Sequence, residues 1–441
     1  MILKVALRSL SAHPVRSLVL ACGFGTGVAV MATLLGVGEV ILVQSRSPAL
    51  RGGGDLIVAG ATGRLSYARY LLSSVLGVPP LKDRVVAASP TTHALLYLVR
   101  DGRVSPIRAR GGIPTLERAL GDPEASTVAS WADAPADASW AAADPGDALR
   151  SMDRFHPIPD VPGRAASWAE WLYFNGRSGD TRFYLTFLVG PDGASGRRTA
   201  GVRLQLDRGG RFTSYAEGEE IEAARVLAEA PALAVRKSHV RLEHLRYRLT
   251  LDLPEERRGS GASAPGHVSG ELFLEAVPGR SMPPFMIRGL GGWVSGYVVP
   301  VMSGRLGGWL VVDGKRIALD DGVGYHDHNW GFWEGVSWQW GQVQQGGLSF
   351  LYGRVHPPAD AADPERIPGF LVALGPNGPV GYSADVSILE TFDPETHRPQ
   401  RIVVQGRGQS LDLKMELGVE DARVTDIPRG PSGGGMLFYQ L

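Results

Sequence analysis

Gly324-Tyr325-His326-Asp327-His328-Asn329-Trp330-Gly331-Phe332-Trp333 places two histidines, a carboxylate, an amide and two indoles within ten residues. A second aromatic run follows, Trp338-Gln339-Trp340-Gly341-Gln342. As a strand, the first run alternates faces, with His326, His328, Trp330 and Phe332 on one side and Tyr325, Asp327 and Asn329 on the other. The next strand groups Trp338, Trp340, Gln342 and Gln344, and a third over Ser349–His356 groups Phe350, Tyr352, Arg354 and His356. Three adjacent antiparallel strands of this kind would make a wall of aromatic and polar groups. Alternation alone does not say which side looks into a barrel.

Outward from this region, strand signals recur with turn punctuation. They include Glu170–Phe174, Arg182–Val189, Val202–Asp207, Tyr247–Leu253 and Gly270–Glu275, and later Leu348–Val355, Phe370–Leu374, Arg401–Gln405 and Leu411–Leu417. The chain has 441 residues, with 58 glycines and 31 prolines, a composition that favours short strands and turns over helices. The strand count exceeds one small barrel, so two are expected, divided near residue 300. Lysine plus arginine equal aspartate plus glutamate at 45 each, and no basic stripe points to nucleic acid. The single cysteine, Cys22, excludes a disulfide framework.

Upstream, residues 17–38 carry no charge and span roughly 33 Å as a helix, enough for a hydrocarbon core. Lys4, Arg8 and Arg16 precede this segment, and no acid occurs before Glu39. That bias predicts a cytoplasmic N-terminus, a single pass through the inner membrane, and the bulk of the chain outside. A cleaved signal peptide would need a shorter apolar region and a small-residue cleavage site. Residues 1–12 read as an amphipathic start. Residues 121–165 contain Asp133-Ala134-Pro135-Ala136-Asp137 and Ala142-Ala143-Asp144-Pro145-Gly146, without an apolar period, and read as a linker. The expected order is an anchor over 1–45, an extracytoplasmic α+β segment over 46–120, the linker, a first barrel over 166–300 and a second over 301–441. A final strand ending at Leu441 would leave an open edge, so the second barrel is expected to be incomplete.

Ala6-Leu7-Arg8-Ser9-Leu10, His13-Pro14-Val15-Arg16-Ser17, the glycine-rich helix and Gly54-Asp55-Leu56-Ile57-Val58 resemble the start of MacB/FtsX-type transporter permeases. The later membrane helices of a complete permease are absent, so the resemblance implies a borrowed anchor and makes ABC transporter subunits an expected partner. Glu170-Trp171-Leu172-Tyr173-Phe174-Asn175-Gly176, Tyr184-Leu185-Thr186-Phe187, the His-Asp-His-Asn-Trp-Gly core and Trp338-x-Trp340-Gly341 resemble the carotenoid 1,2-hydratase/AttH-like family over about 165–441. That resemblance implies two tandem lipocalin-like barrels, a long apolar ligand such as an isoprenoid or lipid, and no cofactor.

The fold class is therefore mainly β, two lipocalin-like barrels preceded by one transmembrane helix and a small α+β segment. Binding or handling of an apolar molecule is the leading expectation, possession of a hydro-lyase or cyclase activity the alternative. The binding residues expected are Trp171, Tyr173, His326, Asn329, Trp330, Trp333, Trp338, Trp340, Gln342 and Arg354. An alkene hydratase needs a proton donor, rings that stabilise a cation, and a placed water. Asp327, Glu334 and His328 are candidate donors. The resemblance assigns His328, Trp330 and Tyr352 to the site, giving Asp327, His328 and Tyr352 as the catalytic set. It also places an aspartate two residues past the tyrosine, where this chain has Arg354, a group that is always protonated and donates poorly. Pericyclic cyclisation survives that change, because it needs shape and polarising hydrogen bonds. Equally, His326, Asp327 and Asn329 fit satisfied core polar groups, and the tryptophans fit barrel filling. His326 and His328 have a strand spacing that suits a metal, but the third ligand, His356 or Glu334, falls at an arbitrary distance, and no metal is expected. Gly430-Pro431-Ser432-Gly433-Gly434 matches a serine-hydrolase elbow by letters only, since no helix or histidine follows.

Overall fold

The computed structural model describes residues 11–45, 56–58, 68–76, 81, 83–141, 144–192, 196–256, 266–345, 347–376, 378–408, 411–429 and 434–440. Residues 1–10 of the amphipathic start, the Gly52–Asp55 stretch, most of the Gly430–Gly434 turn and Leu441 lie outside these residues. The chain divides into two units, one formed by 1–66 and 85–141, the other by 67–84 and 142–441.

In the first unit, α1 (Pro14–Ser45) is a single helix that exposes large apolar side chains, among them Leu18, Phe24, Met31 and Leu35. Its Pro14–Glu39 portion is long and apolar enough to cross a membrane. Strands β1 (Thr92–Arg100) and β2 (Arg103–Gly111) form a hairpin in full register. Its two-residue turn, Asp101-Gly102, has φ of 51° and 73°, the left-handed conformation that a tight hairpin requires and Asp-Gly supplies. Helix α2 (Pro114–Ala119) presents Glu117, which takes Arg110 Nη1 at 2.9 Å and the Ser89 hydroxyl at 2.6 Å.

The second unit takes in residues 142–165 of the stretch expected to be a linker, and here the expectation needs correction. Asp144 caps α3 (Pro145–Met152), its carboxylate accepting from Asp147 N–H at 3.0 Å, with Pro145 in the first turn. Leu149, Met152 and Phe155 are at most 4% exposed and belong to the main core. Apolar positions at 148, 149 and 152 share one helical face, a pattern too short to stand out in an alanine- and proline-rich sequence. Burial of Leu149 and Met152 stabilises the fold by about 1.5–3 kcal/mol each.

The main sheet has twelve strands. In chain order they are β3 (Trp168–Ser178), β4 (Thr181–Asp192), β5 (Arg197–Arg208), β6 (Arg211–Glu222), β7 (Leu233–Val235), β8 (Ser238–Glu243), β9 (Arg246–Pro254), β10 (His267–Glu275), β11 (Met282–Arg288), β12 (Val294–Val312), β13 (Lys315–Ala318) and β14 (Gly322–Phe332). The order across the sheet is β6-β5-β4-β3-β14-β12-β10-β9-β8-β7, with β11 and β13 paired to β12. Its edge strand β6 reaches back to the other side of the sheet: Glu256 N–H, just past β9, donates to the Ser214 carbonyl at 2.8 Å, Tyr215 bridges to Glu255, and Arg236, just past β7, donates to the Gly218 carbonyl at 3.4 Å. The sheet is thus a nearly closed barrel. Alternate residues of β3, Trp168, Leu172 and Phe174, join Phe183, Leu185, Phe187, Leu204 and Leu249 in a filled interior.

The division expected near residue 300 falls inside β12, a strand of 19 residues. Residues 294–332 belong to the first barrel's sheet rather than to a second domain. Nearly every residue in the first half of β12 is buried, because its inner face lines the barrel and its outer face is covered by the next sheet. That covering sheet has the order β15 (Ser337–Gln345), β16 (Leu348–His356), β17 (Phe370–Gly375), β18 (Gly378–Ser383). A three-stranded sheet, β19 (Asp385–Phe392), β20 (Pro399–Arg407) and β21 (Leu413–Gly418), and a hairpin, β22 (Arg423–Arg429) and β23 (Gly434–Gln440), complete the chain. The protein is mainly β, as expected, with one N-terminal apolar helix before it.

Candidate functional site

The three-strand wall does not form. Strand β14 pairs with β3 and β12, and β15 pairs with β16. The two faces of β14 consequently meet different surroundings.

The inner face carries His326, His328 and Trp330 into the barrel core, each at most 1% exposed. His326 stacks on Phe174, its register partner, at 4.0 Å between centroids. Its Nδ1–H donates to the Tyr173 carbonyl (2.9 Å), and its Nε2 lies 3.0 Å from Asp153 Oδ2. The Tyr247 hydroxyl donates to the same oxygen at 2.8 Å. His328 bridges two carboxylates, with Nδ1 2.8 Å from Asp153 Oδ1 and Nε2 2.9 Å from Glu170 Oε1. His156 Nδ1 lies 2.7 Å from Glu170 Oε1, and its backbone N–H donates to both Glu170 oxygens at 3.0 Å. Trp330 lies nearly parallel to the His156 ring at 4.1 Å.

The electrostatics follow from these contacts. Burial alone would lower the His328 imidazolium, but hydrogen bonds to Asp153 and Glu170 push it up to about 9. Burial alone would raise Asp153, yet His326 and His328 hold it well below the usual carboxylate range. Glu170 is likewise depressed, by His156 and His328 against its burial. With both ring nitrogens facing carboxylates, His328 is a doubly protonated donor to each. This cluster unites the barrel wall with the segment after α3.

The outer face of β14 carries Tyr325, Asp327 and Asn329, alongside Asn175, Tyr173 and Trp171 of β3. Opposite them stand Trp338, Trp340 and Gln342 of β15. Trp340 Nε1–H donates to the Tyr325 hydroxyl at 2.9 Å, and Asn175 Nδ2 lies 3.4 Å from Gln342 Oε1. Trp171 contacts Trp333 at 4.5 Å and Trp338 at 6.2 Å between centroids. Trp171, Tyr173, Asn329, Trp338, Trp340 and Gln342 are only half-buried, whereas Tyr325 and Asp327 beneath them are 1% and 3% exposed. The result is an aromatic seam with a polar floor. Burial pushes the Asp327 carboxyl up to about 6, offset only in part by Tyr325, His326 and Asn329. Asn329 Nδ2–H donates to Asp327 Oδ1 at 2.6 Å, which fixes the carboxyl's orientation.

Of the expected binding residues, the seam gathers Trp171, Tyr173, Asn329, Trp333, Trp338, Trp340 and Gln342. His326 and Trp330 are excluded from it because they point into the barrel. The catalytic set is also divided. Asp327 lines the seam, His328 lies in the barrel core, and Tyr352 points to the far side of β16 among Leu371, Val386, Ile402 and Val404. Arg354 shares that far side, its Nη2 3.2 Å from the Pro364 carbonyl. His356 lies 3.2 Å from Gln339 Oε1, away from His326 and His328, and Glu334 is exposed. The cause is the two-residue period, which turns neighbours to opposite faces once the register is fixed.

Sequence reasoning missed Asp153, His156, Glu170 and Tyr247. Glu170 did carry a signal: it sits in phase with Trp168, Leu172 and Phe174, a carboxylate where the pattern calls for an apolar residue. Asp153 carried none, since its place is set by the fold-back of α3.

No family model and no curated protein matches the chain. Among solved structures, it is similar to an AttH from Nitrosomonas europaea, with 15% identity, covering 64% of this chain and 94% of that one, at a TM-score of 0.40. It is similar to CghA with Sch210972, with 11% identity, 64% and 87% coverage, at 0.36. Kievitone hydratase from Nectria haematococca shares 13% identity, with 58% and 80% coverage, at 0.34. At such identities and scores, no chemistry transfers from these proteins. Nothing in the similarities supports a permease-like start over residues 4–120.

Proposed function

We propose that the protein binds an apolar, isoprenoid- or lipid-like molecule in the seam between the barrel and β15–β16, tethered to the inner membrane through α1 with its bulk outside. The observation that carries this reading is the half-buried state of Trp171, Tyr173, Trp338 and Trp340 above a buried polar floor. Large aromatic faces supply apolar area, and Asp327, Asn329 and Gln342 supply orientation, the division of labour typical of small-molecule sites. Length and flanking charge support an uncleaved anchor and a cytoplasmic N-terminus. Mass spectrometry of apolar compounds that co-purify with the full chain in detergent tests the reading. Trp338→Ala together with Trp340→Ala is expected to lose the compound while keeping the fold; retention of the same compound by that variant would count against the seam.

Turnover of the same molecule is a second reading, favoured by Asp327. A carboxyl raised to about 6 beneath aromatic rings is suited to proton donation to an alkene or to polarising a carbonyl. In this scheme Tyr352 and Arg354 play no direct part. Asp327→Asn separates the two readings: product loss with ligand retained indicates catalysis, and unchanged product excludes Asp327 as the acid. Association with an ABC transporter rests on the N-terminal motifs alone, and co-purification with a permease or ATPase is its test.

A further inference from the structure

We propose that His156, Glu170 and His328 form a site for one divalent first-row transition-metal ion, zinc or a near congener. The three residues come from separate parts of the fold: the irregular segment after α3, strand β3 and strand β14. Their ligand atoms nevertheless converge within 4.8 Å of one another. Two imidazoles and one carboxylate are the donor set that such ions prefer, and that set leaves a further coordination position for water.

The surroundings are those of a built site. His328 Nδ1 is held by Asp153 Oδ1 at 2.8 Å, which aims Nε2 at Glu170 and at the point where an ion would sit. Carboxylate support of the distal imidazole nitrogen fixes tautomer and ring orientation in metal centres. The backbone N–H of His156 is shared between both Glu170 oxygens at 3.0 Å, so Oε2 can keep that bond while Oε1 turns to the ion. Trp330 lies over the His156 ring and sets its plane. Asp153 and Glu170 are two fully buried carboxylates, and a divalent cation between the imidazoles would neutralise both charges at once.

Access is also provided. His156 is the one ligand with exposure, 23% for its side chain, so an ion and the displaced protons exchange with solvent past it. Ligand atoms about 2.1 Å from a tetrahedral zinc stand about 3.4 Å apart. The present separations from Glu170 Oε1, 2.7 Å to His156 and 2.9 Å to His328, require openings of about 0.7 and 0.5 Å; the irregular backbone around His156 can absorb the first, and rotation of the Glu170 carboxylate the second. On binding, His328 gives its Nε2 proton to solvent and stays neutral with Nδ1–H on Asp153, while His156 takes the tautomer with its proton on the solvent-facing Nε2 and offers the Nδ1 lone pair; two nitrogen–metal bonds and one oxygen–metal bond form, and no oxidation state changes. The site lies inside the barrel and is independent of the seam.

The test uses the full chain in detergent, stripped with a chelator and titrated with Zn2+ or Co2+. One equivalent of either ion is expected to bind, with a raised melting temperature and, for Co2+, visible ligand-field bands of a nitrogen–oxygen site. His156→Ala and His156→Gln are each expected to weaken binding at least about tenfold. The glutamine amide can still donate to Glu170 but cannot replace the imidazole, so it keeps the hydrogen-bonded core. Absence of stoichiometric binding by the parent chain, or equal affinity in His156→Gln, would overturn the proposal.

Discussion

At the scale of single residues, the two sides of β14 make opposite demands on protons. His328 has its pKa raised from 6.5 to about 9 in the folded state. A cation stabilised by folding contributes fully below its unfolded pKa, and the contribution is lost as pH rises through the folded one. Asp153 and Glu170 are depressed, so their contribution is present above the ordinary carboxylate range and lost on acidification. In chelator, the melting temperature is therefore expected to fall between about pH 6.5 and 9, by a stability loss on the order of 3 kcal/mol. A melting temperature constant over that interval would show that His328 is neutral when folded. Asp327 behaves in the reverse sense: its raised pKa means that ionisation is disfavoured by folding, and the cost accumulates from about pH 4 to 6 and then stays constant. Asp327→Asn keeps an acceptor for Asn329 and removes the buried charge. It is expected to stabilise the protein by on the order of 2–3 kcal/mol at pH 8 and by little at pH 3.5, read from urea melts at both values.

At the scale of elements, the position of the inner cluster depends on close approach between strands. Gly296 of β12 stands opposite Trp330, and a Cβ built there would meet the indole at 2.4 Å. The obstacle is a rigid ring fully buried between two strands, so it has little freedom to yield. Gly296→Ala is expected to cost about 1–3 kcal/mol and to displace Trp330 from its stack on His156. Denaturant melts read the first effect, and quenching of tryptophan fluorescence reads the second. Unchanged stability would mean that β12 and β14 can separate locally. Helix α3 matters for a related reason. It is eight residues long, too short to persist alone, and is held by burial of Leu149 and Met152 and by the bonds that Asp153 makes at its C-terminal end.

At the scale of the whole molecule, α1 and the β-rich unit present different surfaces. The exposed apolar surface of α1 has no compensating polar face, whereas the barrel fills its own interior. The full chain is expected to sediment with membranes and to resist carbonate extraction, and deletion of residues 14–45 to release it into the soluble fraction. Release of the full-length chain by carbonate would argue against a spanning helix.

Local chemistry in the sequence by itself determined the apolar helix, the mainly β class and the alternation of His326, His328 and Trp330 against Tyr325, Asp327 and Asn329. Each depends on composition or on a period of a few residues, and neither needs knowledge of distant contacts. Tertiary structure alone decided that β14 lies between β3 and β12, that the barrel continues to Phe332, and that Tyr352 faces away from Asp327. It also brought Asp153 and His156 from a proline-rich connection against β14, 173 residues away between Asp153 and His326. Strand pairing and the return of α3 are choices among distant partners, made by burying apolar area and satisfying buried charge together, and no short window of sequence contains both partners of either choice.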